Sequence, residues 1–202
     1  MTGRFVAFEG GDASGKTTQA RRVAARLGAV FTREPGGTAL GETLRSLVLD
    51  PAGEVDLRAE ALIIAAARAQ HTAEVIRPAL AAGNDVVTDR FTASSLAYQG
   101  YGSGLDVAEV ASLSAFATAG LEPSLTVLID VPVPVALERL AGERDRFERE
   151  DAAFHDRVRI GYLELAAADP GRWRIVDGSG DVEAVGAHVD AVIDEWRATV
   201  HS

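Results

Sequence analysis

The segment at residues 10–17, which reads GGDASGKT, constrains the fold more than any other part of the chain. It matches the phosphate-loop pattern GxxxxGK[ST], and it lies between an apolar run at residues 5–8 and a helix-compatible segment at residues 18–27. Glycines let backbone amides turn towards phosphate oxygens, and the amino end of the following helix adds its dipole. Lys16, the only lysine in the chain, can neutralise the outer phosphates. The segment therefore predicts nucleotide binding by a strand, a loop and a helix.

Short apolar runs alternate with longer helical patterns along the rest of the chain, which is typical of an α/β fold around a mostly parallel sheet. The predicted strands lie at residues 4–9, 29–32, 85–89, 125–130 and 174–176. The predicted helices lie at residues 17–27, 39–49, 57–82, 107–118, 134–141, 151–168 and 182–200. Nothing in the sequence divides the chain, so we expect residues 1–202 to form a single domain.

The composition excludes several classes of function. The chain has no cysteine, which rules out disulfides, thiolate metal sites and cysteine nucleophiles. Its net charge of −10 argues against broad binding to DNA or RNA, and no apolar run is long enough to span a bilayer. We therefore expect a cytoplasmic protein with no nucleic-acid or membrane partner. Such an acidic protein must gather its arginines locally if it binds nucleotides.

Charged side chains follow most of the predicted strands, at the edge where parallel sheets bind ligands. Asp89 and Arg90 end the third strand. Asp89 can orient Mg²⁺ or its water shell and Arg90 can hold a second phosphate, although a structural ion pair would give the same pattern. Thr17 offers a hydroxyl to the metal, and Asp12 can reach it through water or can be a solvated turn residue.

The densest basic stretch of the chain contains Arg139, Arg144, Arg146 and Arg149. Such charge runs are usually the solvated face of a helix. However, the four variable positions of the phosphate loop contain no arginine, and phosphoryl transfer needs positive charge on the migrating group. We therefore interpret residues 139–150 as a lid whose arginines close over the phosphates.

Two further features remain open from the residues alone. Arg68 lies on an Ala-rich helix, where it either reaches solvent or points into a ligand pocket. Residues 94–102 combine serines, tyrosines and glycines, which suits a pocket for a sugar and a base and equally suits a glycine-rich surface loop. The four histidines show no metal-ligand spacing, so we expect them to be structural or exposed.

Together these motifs resemble the thymidylate kinase family over nearly the whole chain. The segments that carry the resemblance are FEGGD at 8–12, GKTTQ at 15–19, TREPGGT at 32–38, LR at 44–45, AAAR at 65–68, DRF at 89–91, SSLAYQG at 94–100, DRFE at 145–148 and YLEL at 162–165. The resemblance implies a P-loop nucleoside monophosphate kinase fold, with three layers and a five-stranded parallel sheet flanked by helices. It also implies transfer of a phosphoryl group from ATP to dTMP with Mg²⁺, in dTTP biosynthesis, by a homodimer.

The motifs and the resemblance assign residues to each part of the site. The catalytic set is Lys16, Asp89, Arg90 and Arg146, with Arg139 and Arg144 as helpers of Arg146 in the lid. The ATP-binding set is Gly10, Gly11, Asp12, Ala13, Ser14, Gly15, Lys16, Thr17, Thr18 and Arg139, with the loop at 177–181 beside the adenine. The dTMP-binding set is Glu34, Arg45, Ile64, Arg68, Arg90, Ser94, Ser95, Tyr98 and Gln99, with Arg33 as a further candidate. The metal set is Thr17, Asp12 and Asp89, the carboxylates acting through water.

The resemblance also implies individual roles within the acceptor set. Arg90 should hold the acceptor phosphate, Arg68 should hydrogen-bond the thymine, and Ser95 should approach the base. Tyr98 should crowd the ribose 2′ position, which favours deoxynucleotides. Ile64 departs from the family pattern, because similar enzymes place an aromatic residue there to stack on the base, so acceptor affinity or base selectivity should be weaker.

Two other functions are compatible with a phosphate loop. One is a small kinase that acts on a different nucleotide or on a hydroxyl acceptor, and the other is a non-catalytic ATP-binding switch. The resemblance favours neither.

Overall fold

A computed structural model describes residues 2–140 and 145–199. Five parallel strands in these residues form one sheet in the order β2-β3-β1-β4-β5. The strands are β1 (Phe5–Glu9), β2 (Val30–Arg33), β3 (Val86–Asp89), β4 (Leu125–Asp130) and β5 (Trp173–Asp177). The register pairs Asp89 with Phe8 on one side and with Arg33 on the other, so the carboxyl ends of three adjacent strands lie together.

Helices connect the strands and cover both faces of the sheet. They are α1 (Lys16–Leu27), α2 (Ala39–Leu49), α3 (Leu57–His71), α4 (Arg77–Ala81), α5 (Thr92–Ser95), α6 (Val107–Thr118), α7 (Val133–Arg139), α8 (Ala152–Ala168) and α9 (Val182–Thr199). Side-chain oxygens of Thr38, Asp56, Asp106 and Asp151 cap the amino ends of α2, α3, α6 and α8, where backbone amides have no partner within the helix.

The core lies on both faces of β1, all five residues of which are buried. Val6 and Phe8 pack with side chains of α1 and α9, whereas Phe5 and Ala7 face the opposite layer. Central strands that are apolar on both faces are expected when helices cover a parallel sheet on both sides. The structure thus confirms the predicted three-layer α/β fold with a five-stranded parallel sheet.

The predicted elements are confirmed with small shifts at their ends, and two regions differ from expectation. The predicted helix at 57–82 contains a π-helical turn, Thr72–Ile76, between α3 and α4. The surface-loop alternative for residues 94–102 is wrong, because α5 continues into the π-helical segment Leu96–Gly102, which is largely buried.

The reason for the second difference is close packing between helices. A Cβ atom on Gly102 would lie 2.8 Å from side-chain atoms of Phe154 and Val158 in α8, and one on Gly161 would lie 2.6 Å from the ring of Tyr101. Glycine at these positions permits contact between two helices, where the sequence pattern alone indicated a turn.

Three predictions fall partly outside the described residues. These are the predicted helix ends at Ala141 and Val200 and the lid helper Arg144. In the part of the chain that the structure describes, no helix is long and apolar enough to cross a membrane.

Candidate active site

The loop between β1 and α1 has a conformation that requires glycine at its ends. Gly10 and Gly15 have φ angles of 147° and 85°, and a Cβ atom on Gly10 would lie 2.5 Å from the carbonyl oxygen of Ile129. Lys16 is buried, and its Nζ donates to the Gly11 carbonyl at 3.1 Å. Burial lowers the pKa of Lys16, and the charge of Arg90 lowers it further. The loop therefore holds a partly desolvated cation, which an anion would stabilise.

Thr17 and Asp89 form a polar pair at the edge of this loop. Thr17 Oγ1 donates to Asp89 Oδ2 at 2.5 Å, while Asp89 Oδ1 is buried without a hydrogen-bond partner among the described residues. An unpartnered carboxylate oxygen beside a hydroxyl fits a divalent cation that is held mainly by water and phosphate oxygens. The described residues contain no cluster of three or more acidic or histidine side chains that could hold a metal without such partners.

Arg90 is bound to the phosphate loop and to two tyrosines. Its Nη1 donates to the Gly10 carbonyl and to the Tyr162 hydroxyl, both at 3.0 Å. Its Nη2 donates to Asp12 Oδ1 at 2.6 Å and to the Tyr98 hydroxyl at 3.0 Å. Burial opposes the charge of Arg90, but the surrounding tyrosines and Asp12 raise its pKa. Arg90 is therefore a permanently charged group in a fixed position.

Asp12 is occupied on both of its oxygens. Oδ1 is paired with Arg90, and Oδ2 accepts from the Tyr98 hydroxyl at 2.8 Å. Burial alone would raise the pKa of Asp12, but the charges of Arg90 and Lys16 outweigh it and hold the pKa below its usual range. Because each carboxylate oxygen can accept two hydrogen bonds, Asp12 keeps the capacity to accept from a metal-bound water as well.

Glu9, which we did not assign to the site from the sequence, anchors the same network from the end of β1. It is fully buried and accepts from the Phe91 amide at 2.8 Å and from the hydroxyls of Ser94 and Tyr162 at 2.6 and 3.1 Å. Burial raises the pKa of Glu9, although these hydrogen bonds and Arg90 oppose the rise. A glutamate that ends an otherwise apolar strand could have indicated such a buried role.

A cavity that opens to solvent extends from Arg90 towards α2 and α3. All nine residues predicted to bind the acceptor line it: Glu34, Arg45, Ile64, Arg68, Arg90, Ser94, Ser95, Tyr98 and Gln99. Asp12 also lines it, and so does Phe147 of the lid segment, which the sequence did not reveal as a site residue. Arg33 does not line the cavity and pairs with the exposed Glu42 at 2.9 Å.

Arg68 is the central polar group of this cavity, and its side chain is only 2% exposed, which excludes the solvent-reaching alternative. Nε donates to Glu34 Oε2 at 2.6 Å, and Nη1 donates to Ser95 at 3.0 Å and to Ser114 at 3.3 Å. The other oxygen of Glu34 lies 2.9 Å from Nδ1 of the fully buried His71, so that histidine is structural, as expected. These contacts hold the guanidinium in one orientation.

A second cavity, also open to solvent, lies on the other side of the loop. The residues of the predicted ATP-binding set that line it are Ala13, Ser14, Gly15, Thr18 and Arg139. Arg139 donates to the carbonyls of Gly178, Ser179 and Gly180 at 2.8, 2.9 and 3.2 Å, which fixes the loop at 177–181 beside this cavity.

Two of the lid arginines, Arg139 and Arg146, lie on different sides. Arg139 ends α7 on the side of the second cavity, whereas Arg146 donates to the Val48 carbonyl at 3.0 Å and pairs with Glu60 on α3. The alternative of one solvated helix face is therefore not observed for these two residues. Arg146 does not reach the phosphate loop in this structure.

The first cavity meets the phosphate loop at Asp12, and the second meets it at Ala13, Ser14 and Gly15. Two cavities that share one phosphate loop on a five-stranded parallel sheet define a P-loop nucleoside monophosphate kinase. A family model described as thymidylate kinase matches residues 8–189. The chain therefore belongs to the thymidylate kinase family, as the sequence motifs predicted.

Individual relatives agree with this assignment. The chain is 47% identical to "Thymidylate kinase" of Desulforudis audaxviator, with 96% of this chain and 94% of that one covered. It is 49% identical to "Thymidylate kinase" of Bifidobacterium longum (strain DJO10A), with 96% and 99% covered. Among solved structures, thymidylate kinase from Ehrlichia chaffeensis is 33% identical and superimposes with a TM-score of 0.78, with 96% of this chain and 99% of that one covered.

Proposed function

We propose that the protein transfers the γ-phosphoryl group of ATP to dTMP, forming dTDP for dTTP biosynthesis. The observation that carries this proposal is the cavity in which all nine predicted acceptor residues come together and which ends at Arg90. Because Arg90 is hydrogen-bonded to the Gly10 carbonyl, an acceptor phosphate held by Arg90 would lie next to the phosphate loop. The cavity on the other side of that loop would hold ATP.

The chemistry needs no general base. A phosphate monoester has a second pKa of about 6, so the acceptor is largely a nucleophilic dianion near neutral pH. The protein's task is to bring two anions together and to neutralise charge as it develops. Lys16 would act on the donor phosphates and Arg90 on the acceptor phosphate. Lys16 is buried and the side chain of Arg90 is only 15% exposed, and charge interactions in such places are stronger than in water.

Mg²⁺ fits the pair formed by Thr17 and Asp89. The Thr17 hydroxyl and the unpartnered Oδ1 of Asp89 would hold the ion or its water shell, with Asp12 contributing through water as a third candidate. When bound, Mg²⁺ supplies positive charge to the donor phosphates. The residues of this chain provide its position.

Tyr98 is the group proposed to select deoxyribose. Its ring is 5% exposed and lines the acceptor cavity, and its hydroxyl is bound to both Asp12 and Arg90. Because these two contacts and the edge-to-face packing on Phe147 at 5.6 Å hold the ring in place, it cannot easily move away from a 2′-hydroxyl. Tyr98→Ala should therefore lower the ratio of kcat/KM for dTMP to kcat/KM for its ribonucleotide.

The lid arginines are proposed to complete the charge on the transferred group. Arg139 already lies on the donor side, whereas Arg146 would have to leave Glu60 to take part. If Arg146 acts in this way, Arg146→Ala should lower kcat much more than it weakens nucleotide binding. Near-normal turnover of Arg146→Ala would remove it from this role and leave Arg139, or Arg144 outside the described residues, as the candidate.

A homodimer packed through helices is supported by an apolar face on two adjacent helices. Leu62 on α3 and Phe116 on α6 are 58% and 85% exposed. Ala66 and Ala115, which are near them on the same two helices, are exposed as well. Phe116→Glu should convert the dimer to a monomer in sedimentation or light-scattering measurements. The matched control is Ile160→Glu, which changes an exposed apolar residue on α8. A dimer that persists in Phe116→Glu would contradict this interface.

We also propose that residues 1–202 work as one kinase domain with its lid at about 139–150, in the cytoplasm where its substrates are used. An ADP-release assay with TMP, dUMP, UMP, CMP, AMP and shikimate tests the function directly. Preference for an acceptor other than dTMP would favour a different small kinase. Slow hydrolysis that no acceptor accelerates would favour an ATP-binding switch, in which the acceptor cavity has no role.

A further inference from the structure

Glu60 connects the acceptor cavity with the lid segment. It is fully buried on α3 and does not itself line the cavity. Its Oε1 accepts a hydrogen bond from Gln99 Nε2 at 2.8 Å, and its Oε2 is paired with Arg146. One carboxylate therefore contacts a residue of the cavity wall and a residue of the lid at the same time.

The contact with Glu60 determines which end of the Gln99 amide faces the cavity. A carboxylate that is ion-paired with a guanidinium accepts hydrogen bonds and does not donate them, so only the amino end of the amide can meet it. The carbonyl oxygen of Gln99 is then turned away from Glu60, and it has no partner in the described ranges. Because Gln99 lines the cavity, the wall presents a hydrogen-bond acceptor at this point.

Arg68 presents the complementary donor. A guanidinium has five N–H groups, and the structure pairs four of them, with Glu34, Ser95, Ser114 and the Phe91 carbonyl. One Nη2–H group of Arg68 remains for a ligand. Arg68 and Gln99 both line this cavity, and Arg68 also contacts Ser95, four residues before Gln99, so the donor and the acceptor belong to the same cavity.

A donor beside an acceptor distinguishes two kinds of pyrimidine. Thymine and uracil carry an oxygen at C4 and an N–H at position 3, which match the free Arg68 N–H and the Gln99 carbonyl. Cytosine carries an amino group at C4 and an unprotonated N3. Its amino group would meet the Arg68 N–H, donor against donor, and its N3 would meet the Gln99 carbonyl, acceptor against acceptor. Buried polar groups left unpaired in this way cost binding free energy.

We propose that Glu60 is a positioning residue for base selection: by anchoring the amino end of Gln99, it makes the protein accept 4-oxo pyrimidines and reject 4-amino pyrimidines. The inference rests on the proposed function, since it concerns the base of the acceptor nucleotide. It also makes Arg146 part of the arrangement, because Arg146 neutralises the carboxylate that orients Gln99.

The test compares dTMP with 5-methyl-dCMP, which keeps the methyl group and changes only the hydrogen-bonding edge. Glutamine at position 60 can donate as well as accept, so Glu60→Gln should let the Gln99 amide turn. We expect the ratio of kcat/KM for dTMP to that for 5-methyl-dCMP to fall about tenfold in Glu60→Gln. Glu74→Gln is the matched control: it makes the same change at an exposed carboxylate, which accepts from Gln70 Nε2 at 2.7 Å, so the ratio should stay within about twofold of wild type.

If the ratio of kcat/KM values is the same in Glu60→Gln as in wild type, the proposal for Glu60 is wrong. The proposed function is still supported in that case, provided that the wild-type protein prefers dTMP. A wild-type protein that prefers 5-methyl-dCMP would overturn the proposed function itself. Should Glu60→Gln not fold, NMR of the wild-type protein decides. Slow solvent exchange of the Gln99 side-chain amide protons supports the anchor, and exchange as fast as that of an exposed glutamine overturns it.

Discussion

The buried ion pair between Glu34 and Arg68 allows a quantitative prediction. Both side chains are 2% exposed, and Glu34 also contacts His71. Glu34→Gln leaves the Arg68 guanidinium buried without its counter-charge, and breaking a buried pair in this way costs about 3–5 kcal/mol. For a domain of this size each kcal/mol shifts Tm by roughly 2–4 °C, so we expect Tm to fall by about 6–20 °C.

The measurement is thermal unfolding followed by circular dichroism at two or more heating rates, because irreversible unfolding makes Tm depend on the rate. The matched control is Asp194→Asn, which breaks the pair with Arg26 on the surface, where Asp194 is 60% exposed. Exposed pairs contribute about 0–1 kcal/mol, so this variant should lose no more than about 4 °C. Equal losses in the two variants would refute the claim that burial of Arg68 makes Glu34 necessary. KM for dTMP should also rise in Glu34→Gln, because the guanidinium that is proposed to bind the base loses an anchor.

Three further substitutions test other parts of the site. Lys16→Ala should lose most of kcat in a coupled ADP assay while the fold is retained, since no second lysine exists to replace it. Asp12→Asn should destabilise the protein most above pH 4: the pKa of Asp12 is lowered from its ordinary value of 3.8, so its contribution is complete above that value and is lost as the pH falls through the folded-state pKa. Denaturant titrations of wild type and Asp12→Asn at pH 3 to 7 should show the difference between their free energies of unfolding becoming smaller at the acid end. Phe147→Ala should raise KM for dTMP by about 2- to 10-fold in initial-rate measurements, because the cavity loses an aromatic wall that packs on Tyr98.

The sequence allowed the conformation of the phosphate loop to be predicted closely, because local rules determine it. A phosphate loop needs glycine where the backbone is left-handed, a lysine at a fixed spacing and a helix directly afterwards. The structure places Gly15 and Lys16 accordingly. The acceptor residues were predicted through family motifs, and the cavity that collects them depends on contacts between α3, α5 and the strand ends that no local pattern specifies.

Long-range contacts explain what the sequence did not reveal. Glu9 and Tyr162 are 153 positions apart and meet only because α8 packs beside the carboxyl end of β1. The helical geometry of residues 94–102 depends on Gly102 and Gly161, which allow this segment and α8 to pack closely. In the sequence alone, a glycine usually indicates a turn. Phe147 reaches the cavity beside Ile64 from a segment about 80 residues further along the chain, so an aromatic wall is present although the helix itself lacks one.

The arrangement of charges also explains how an acidic protein can bind two nucleotides. Its net charge of −10 led us to expect a local cluster of arginines. Three arginines, Arg45, Arg68 and Arg90, line the acceptor cavity. The cations Lys16, Arg68 and Arg90 each lie beside a carboxylate or a carbonyl that fixes them before any ligand arrives. Their effect on a phosphate depends on this fixed orientation in a poorly solvated site, where charge interactions are strong and little screened by salt. Preorganisation of individual cations, rather than an excess of positive charge, therefore makes the site suitable for phosphoryl transfer.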